Sequence, residues 1–532
     1  MIVTPSEMRE IEQLSIEKYG MPSIVLMENA AHVFSDHVVD KNFKKVLVVV
    51  GPGNNGGDGL AIARHLYEAG IRVRVLITCS RDKFTRDALI NYNLIKDSDI
   101  KIKFITPSSE NNSYSYSHRN SVISEQDKES ITSAIAGSDL VIDALFGIGL
   151  SREVTGLEAE IIKLINSFAK CVYSVDVPSG INALTGQVMG VAVRSQVAIT
   201  FGYAKCGMLT GDALDYYSDY LVAKIALPPM KEVNNKKYTM SVFNSSKMKE
   251  IFVKRASNTN KGTFGKILII GGSNEMRGAV AFAAKAALAG GAGLVYIATT
   301  QKVWNTVSKL VPDSVAILLG ENEKGGISVN NKTILKKAIE QADSIVIGPG
   351  MGNNDDTYQI VKYIIENSDD RPTILDADAL NVFAADKGRK INTDGKNIIV
   401  TPHPGEMARL VGTDIKEVQK DRIGVAKKFA KDNNVVTVLK GAGTVVAASN
   451  GKCYVNSTGN AGMAVAGMGD VLAGLCGAFA INMSGNTEKR IAGAVYVHGR
   501  AGDKSIESHS RTSLTANMLI KNIDAVLKEA EE

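Results

Sequence analysis

Tryptophan occurs once and cysteine five times in 532 residues. The cysteines (Cys79, Cys171, Cys206, Cys453, Cys476) never take the C-x-x-C spacing. Neither a zinc site nor a disulfide framework is therefore indicated, and a reducing, cytoplasmic setting is expected. Lysine and arginine never gather into a long run, and the net charge of +5 is slight for this length, so nucleic acid is not an expected partner. The opening residues, MIVTPSEMREIEQ, lack the apolar stretch of a secretory leader. The most membrane-like segment, residues 460–484, is rich in Ala and Gly but contains Asp470. A charge is costly at bilayer depth, so a buried helix is expected there and no membrane partner.

The composition is that of a globular chain, 45% hydrophobic and 22% charged, and its length calls for more than one core. Short β-rich runs alternate with Ala/Leu-rich helical stretches, which predicts α/β folding around mainly parallel sheets. The first half offers KKVLVVV, IRVRVLIT, DLVIDAL, KCVYSVDV and SQVAITF as strands. The second offers GKILIIGG, GLVYIATT, DSIVIGPG, PTILDAD, NIIVTPH and VVTVLKG. PPMKEVNNKKYTM, residues 228–240, is polar and begins with a proline pair, so it is the expected linker between domains 1–227 and 241–532. The Ser/Asn/Tyr-rich residues 108–128 are expected to form a surface loop.

Residues 46–66, VLVVVGPGNNGGDGLAIARHL, run from a strand pattern through glycines into a helix pattern. Gly51, Gly53 and Gly56 match GxGxxG, but Thr78, Cys79, Ser80 and Arg81 stand where a ribose-binding acid is expected. Two readings are open: a ligand loop, or a tight turn whose glycines serve helix–strand packing. Later strand ends add polar groups. DLVIDALFGIGLSR places Asp143 before a Gly147/Gly149 loop, and VYSVDVPSG places Asp176 and Ser179. Parallel strand ends open on one crevice, so Asn55, Asp58, Asp143, Asp176 and Ser179 are expected to converge. Oxygen ligands without Cys or His suit a hard cation. Clustered carboxylates also demand a cation or a raised pKa, and one of them can serve as general acid or base.

In the second half, Gly271, Gly272 and Ser273 lead toward a helix, and GPGMG ends at Gly352. LDADALN gathers Asp376, Asp378 and Asn381, TPHPGEMARL sets His403 and Glu406 at a helix entry, and LKGAGT supplies Lys440 and Thr444. AGMGDVLAGLCGAF puts Gly467, Gly469 and Asp470 at the start of an apolar helix. Glycines at a helix N-terminus expose N–H groups to an anion, and the helix dipole adds positive potential. An aspartate beside a phosphoryl group held there can deprotonate a hydroxyl. An acid in a first helical turn also simply suits the dipole. Lys440 in its KGxG loop favours the nucleotide site. His403 is open to reading as a helix cap or a functional group, and Asp376 and Asp378 as caps. Trp304 and the scattered methionines are expected in the core.

LMENAA, GPGNNGGDG, DALFGIGLSR, VDVPSG, FGYAKCGMLTG and VAKIALP together resemble the NAD(P)H-hydrate epimerase domain over nearly all of residues 1–227. KGTFGKILIIGGS, GGAGLV, GPGMG, LDADALN, TPHPGEM, LKGAGT and GDVLAG resemble the ribokinase-like superfamily, and within it the NAD(P)H-hydrate dehydratase branch, over about 241–525. The resemblance implies a Rossmann-like three-layer αβα domain followed by a ribokinase-like α/β domain. It implies epimerisation of R and S NADHX and NADPHX, dehydration of the S form with ADP or ATP, and a homo-oligomer. For the epimerase it implies a substrate site at Asn54, Asn55, Gly56, Gly57, Asp58, Gly147, Ile148, Gly149, Leu150, Ser151, Arg152, Glu153 and Asp176. It places K+ at Asn55, Asp143 and Ser179. For the dehydratase it implies substrate contacts at Ala279, Gly352, His403 and Asp470, with Mg2+ shielding the nucleotide. The nucleotide loops it implies are Lys440, Gly441, Ala442, Gly443 and Thr444, and then Asn460, Ala461, Gly462, Met463, Ala464, Val465, Ala466, Gly467, Met468 and Gly469. Asp470 and Asp176 are the expected catalytic groups.

Two alternatives carry less support. A vitamin or sugar kinase of the superfamily tends to have TPN where this chain has TPH at His403. A non-enzymatic binding module would have lost the polar groups Asn55, Asp58, Asp143 and Asp176. One departure from the resemblance is Met468, which stands where a small hydroxyl residue is usual within GxGD. The backbone anion hole should survive it, but a side-chain hydroxyl contact is lost.

Overall fold

The run Lys45–Val50, KVLVVV, is buried from Val46 to Val50, as expected of a strand covered on both faces in a parallel sheet. Val46, Val48 and Val50 enter one core. Leu47 and Val49 enter another on the opposite face. That alternation places helices on both sides of the sheet, so this part of the chain is a three-layer αβα sandwich.

The computed structural model of the chain describes residues 1–105, 123–228, 239–385, 391, 393 and 395–532. They divide into two compact units, Met1–Tyr238 and Thr239–Glu532. In the first, seven strands lie in the order Lys101–Phe104, Arg72–Ile77, Lys45–Val50, Leu140–Ala144, Val172–Val175, Ser195–Phe201, Tyr217–Ala223. Every neighbouring pair is parallel. The helix Pro5–Glu17 begins with a capping box, in which Thr4 accepts from Glu7 N and the Glu7 side chain accepts from Thr4 N.

The second unit has a ten-stranded sheet. Its order is Met240–Phe243, Cys453–Asn456, Val445–Ala447, Val436–Leu439, Ile398–Val400, Thr373–Leu375, Ser344–Ile347, Lys266–Ile270, Leu294–Thr300, Val315–Leu319. It is parallel except where Val445–Ala447 pairs with its two neighbours. The helices Arg277–Ala289 and Met468–Asn482 share one core on the sheet. They approach closely because Gly474 lies against the Ala283 carbonyl, where a Cβ would come within 2.0 Å of the oxygen.

All eleven strands expected from the sequence are present. The sheets hold strands beyond these, among them Lys101–Phe104, an edge strand that buries none of its residues, Val315–Leu319, an apolar run at the other sheet's edge, and the short Val445–Ala447 and Cys453–Asn456, which lie buried inside their sheet. Three boundaries differ from expectation. Of residues 108–128, 108–122 lie outside the described residues, and the end of the stretch is helical. Ser124 caps the helix Glu125–Ala136 by accepting from Asp127 N. Of the expected linker, 229–238 lie outside the described residues, and Met240 is already sheet, paired with Cys453. Residues 460–484 are not one helix. Gly467, at φ 89°, caps a helix that begins at Met468, and a loop with one turn, Ala461–Met463, precedes it. Among the described residues no helix is long and apolar enough to cross a membrane.

Candidate active sites of the two units

In the first unit a cavity of about 610 Å³ opens at the carboxyl ends of the strands. Asn54, Asn55, Asp58, Gly147–Arg152 and Asp176 line it. Gly53 is extended and caps the helix Asn54–Glu68, so the expected Asn54–Asp58 loop is the helix's first turn. Gly56 and Gly57 are absent from the lining. Gly56 packs on the Gly51 carbonyl and Gly57 on Met27 and Ala88. For these two glycines the packing reading holds. Glu153 is exposed and also outside the cavity lining.

The expected single cluster divides in two. Asn55, Asp58 and Asp176 face the cavity, while Asp143 and Ser179 are fully buried beside it. Asp143 accepts from Ser179 Oγ (2.5 Å), Ser179 N and Ser174 Oγ (both 2.9 Å) and Leu145 N (3.3 Å). All four donors are uncharged, and burial raises its pKa against their pull. Ser179 Oγ accepts from Phe146 N and thereby fixes the start of the 147–153 segment. Asn55 is buried against Gly147, and its Nδ2 has no partner. The carboxyl, amide and hydroxyl oxygens of Asp143, Asn55 and Ser179 are a donor set that suits a monovalent hard cation.

Asp176 sits at φ 64°, just past the strand Val172–Val175. Its Oδ1 accepts from Lys205 Nζ (2.5 Å), Thr200 Oγ1 (2.8 Å) and Phe201 N (3.3 Å). Lys205 is 1% exposed, and its Nζ also donates to Thr200 Oγ1 and the Phe201 carbonyl. Asp58 is pushed well up by burial, then by the nearby Asp176 and Glu12 carboxylates. Glu12, from the helix Pro5–Glu17, is raised by burial and then by Asp176. The cavity therefore holds four carboxyl groups, those of Glu12, Asp58, Asp87 and Asp176, and one buried lysine, an arrangement suited to proton transfer in both directions. Nothing in the spacing singles out Lys205 or Glu12. The one available signal is a lysine between Ala204 and Cys206 in an otherwise uncharged FGYAKCGML run.

In the second unit the polar groups gather around the start of the helix Met468–Asn482. Lys440 Nζ donates to Asp376 Oδ1 at 2.7 Å and lies 3.8 Å from Glu406 Oε2. Asp376 is 1% exposed and also accepts from Thr401 Oγ1. Burial pushes Lys440 down, but Asp376 and Glu406 outweigh it and hold the ammonium above its ordinary range. A Cβ at Gly469 would lie 3.4 Å from Lys440 Nζ, so this ion pair abuts the helix tip. Asp470, in the first helical turn, is raised to about 7 by burial and then by Asp376, with Lys440 pulling the other way.

His403 does cap a helix. Its Nδ1 accepts from Gly405 N and Glu406 N at the start of Pro404–Val411. That bond leaves the proton on Nε2, and burial, then Lys440 and Arg409, keep the ring below its ordinary pKa. Nε2 of the half-exposed ring lies 3.5 Å from Glu406 Oε1, so a ligand would compete with that carboxylate for its proton, and the two readings of His403 are compatible. Asp378 accepts from Gly352 N, and Ala279 packs beside Gly350. Asn460 is held by Asp503 and accepts from Gly462 N, whereas Ala464, Val465 and Ala466 are exposed. Met468 points into the core, and its carbonyl accepts from buried His498 Nε2 at 3.0 Å. Burial holds His498 down at about 4, so the ring is a neutral donor. Among the described residues no three His, Cys, Asp or Glu side chains form a metal-holding group.

A family model described as NAD(P)H-hydrate dehydratase matches residues 267–525, and one described as YjeF-related protein N-terminus matches 23–207. The chain is 32% identical to the bifunctional NAD(P)H-hydrate repair enzyme Nnr of Moorella thermoacetica, over 100% of this chain and 97% of that protein. It is 32% identical to the enzyme of the same name from Coxiella burnetii, over 97% of each. Among solved structures, the ADP/ATP-dependent NAD(P)H-hydrate dehydratase of Bacillus subtilis, co-crystallized with ATP/Mg2+, is 30% identical. It covers 54% of this chain and 98% of its own, with a TM-score of 0.48. The chain belongs to the family of bifunctional NAD(P)H-hydrate repair enzymes.

Proposed function

We propose that the first unit interconverts R and S hydrates of NADH and NADPH in the Asp176 cavity, and that the second dehydrates the S hydrate at the Asp470 helix tip. The observation that carries this reading is the pairing of a carboxyl raised to about 7 with glycine-flanked N–H groups at the start of one helix. A base with a pKa near the working pH combines a usable deprotonated fraction with real basicity.

In the second unit Asp470 takes the proton from the C6 hydroxyl as that oxygen attacks the terminal phosphorus of ADP or ATP, whose bond to the bridging oxygen breaks to release AMP or ADP. The helix N-terminus holds the transferring phosphoryl group. The lone pair of the ring nitrogen then expels phosphate from C6, a proton leaves C5, and the dihydronicotinamide is restored. Lys440 neutralises Asp376, so that only one strongly basic carboxylate faces the substrate. His403 donates its Nε2–H to the hydrate. Lys440–Thr444 and Asn460–Gly469 are the nucleotide loops, and Met468 contributes its backbone, steadied by His498. Magnesium would come with the nucleotide phosphates and shield their charge.

In the first unit Asp176 and Lys205 move the proton of the C6 hydroxyl and a proton on the ring nitrogen as the C6–N1 bond opens to the aldehyde and re-forms on its other face, next to Asp58, whose pKa burial raises. Asn55, Asp143 and Ser179 would hold potassium, whose charge would offset Asp143 and steady the segment that begins at Phe146.

The test is to mix R and S NADPHX with the full chain, ATP or ADP and magnesium, and to follow the reduced-nicotinamide absorbance. Wild type recovers both epimers in a fast course. Asp176→Asn recovers the S fraction quickly and the R fraction only at its spontaneous epimerisation rate. Phosphorylated hydrate accumulating in place of NADPH would favour the kinase reading and overturn this one.

A further inference from the structure

Arg422 begins the helix Arg422–Asn433 and is 3% exposed. Its Nη2 donates to the carbonyls of Leu439 and Lys440, both at 3.1 Å, and its Nη1 to Gln419 Oε1 at 2.7 Å. All three acceptors are uncharged, and its Nε has no partner. Burial pulls the guanidinium down to about 10, which still leaves it charged at neutral pH. A buried cation without a carboxylate partner is costly, and an ordinary structural arginine is paired.

The place of this charge is specific. It lies directly under Gly441, where a Cβ would come within 3.0 Å of both Nη atoms. Gly441 has φ 136°, and Thr444 Oγ1 donates to its carbonyl at 2.8 Å, closing the turn. The carbonyl of the Lys440–Gly441 peptide points down at Arg422. A trans peptide carries its N–H on the opposite side, so the Gly441 N–H points away from the guanidinium, and Gly441 itself is exposed. The preceding peptide obeys the same geometry. The Leu439 carbonyl also faces Arg422, and the Lys440 N–H turns away to the Pro402 carbonyl.

We infer that Arg422 is a positioning residue for the nucleotide: its Nη2, held by the Nη1 bond to Gln419, turns the Lys440–Gly441 peptide so that the Gly441 N–H meets a nucleotide phosphate, and the phosphate supplies the negative charge that the guanidinium lacks. This rests on the reading of Lys440–Thr444 as a nucleotide loop. Arg422 touches neither phosphate nor hydrate and acts through the loop backbone.

The full chain is titrated calorimetrically with ADP and with ATP, each with magnesium. Arg422→Met, which keeps the length and loses the charge, weakens nucleotide binding about tenfold, the equivalent of one charge-assisted hydrogen bond. In steady state it raises KM for the nucleotide and leaves kcat and KM for the S hydrate unchanged. Arg422→Lys keeps a buried cation but is shorter and loses the Nη1 bond to Gln419 that aims Nη2, so it binds nucleotide more weakly than wild type and more tightly than Arg422→Met. Should Arg422→Met fail to fold, Arg422→Lys decides alone. Wild-type nucleotide affinity in the folded variants, with only a lowered melting temperature, overturns the inference. Failure of the wild-type chain to bind either nucleotide overturns the loop reading beneath it.

Discussion

Lys440 Nζ donates to Asp376 Oδ1 at 2.7 Å, with the lysine side chain 17% exposed and the aspartate 2%. Breaking a buried pair of this kind from one side costs about 3 kcal/mol, so Lys440→Met lowers the denaturation midpoint of the second unit accordingly. Lys440 also pulls the Asp470 pKa down. Its loss therefore moves the acid limb of the dehydration pH profile to higher pH. An unmoved limb would mean that Asp470 does not feel the pair.

Lys205 and Asp176 form the matching pair in the first unit, with side chains 1% and 10% exposed. Lys205→Met removes both a proton donor and the charge that balances Asp176. R-hydrate conversion falls about a hundredfold or more, the ordinary size of a general acid–base contribution. Dehydration of purified S hydrate by the same preparation stays at the wild-type rate, which separates a local loss from a failure to fold.

His498 is neutral in the folded chain, with a pKa of about 4, against about 6.5 when unfolded. Between those values the unfolded chain binds more protons, so the stability contributed by this ring is present above pH 6.5 and is lost as pH falls toward 4. His498→Gln can still donate to the Met468 carbonyl and has no such titration. Wild type should lose melting temperature more steeply than the variant across that window. Parallel slopes would place the ring's titration elsewhere.

The cation reading of Asn55, Asp143 and Ser179 predicts faster epimerisation in potassium than in choline at equal ionic strength. Asn55→Leu removes one oxygen ligand and should abolish the difference while the S-hydrate dehydration rate holds. Equal rates in both salts for wild type would remove potassium from the account.

The central parallel strands and the strand-end motifs are legible in the sequence because parallel strands buried on both faces are continuous apolar runs, and glycines mark the turns that leave them. Lys101–Phe104 is not legible, since it buries none of its residues, and Val445–Ala447 and Cys453–Asn456 are too short to stand out although they are buried. Nor is the division of labour among the glycines. Gly53 opens on the cavity, while Gly56 and Gly57 serve packing, and residue type alone does not distinguish these uses. Partners far apart in the chain are also hidden. Lys205 meets Asp176, His498 meets Met468, and Arg422 meets Lys440 only after the sheet order is set, and no local spacing encodes such contacts.

The central claim is that Asp470 deprotonates the substrate hydroxyl beside the helix tip. Purified S NADPHX is given to Asp470→Asn with saturating nucleotide and magnesium, and NADPH formation is followed in a single turnover. The account predicts a fall of about a thousandfold in rate, nucleotide affinity that is not weakened, and a wild-type epimerase rate in the same molecule. Recovery of NADPH at the wild-type rate would contradict it.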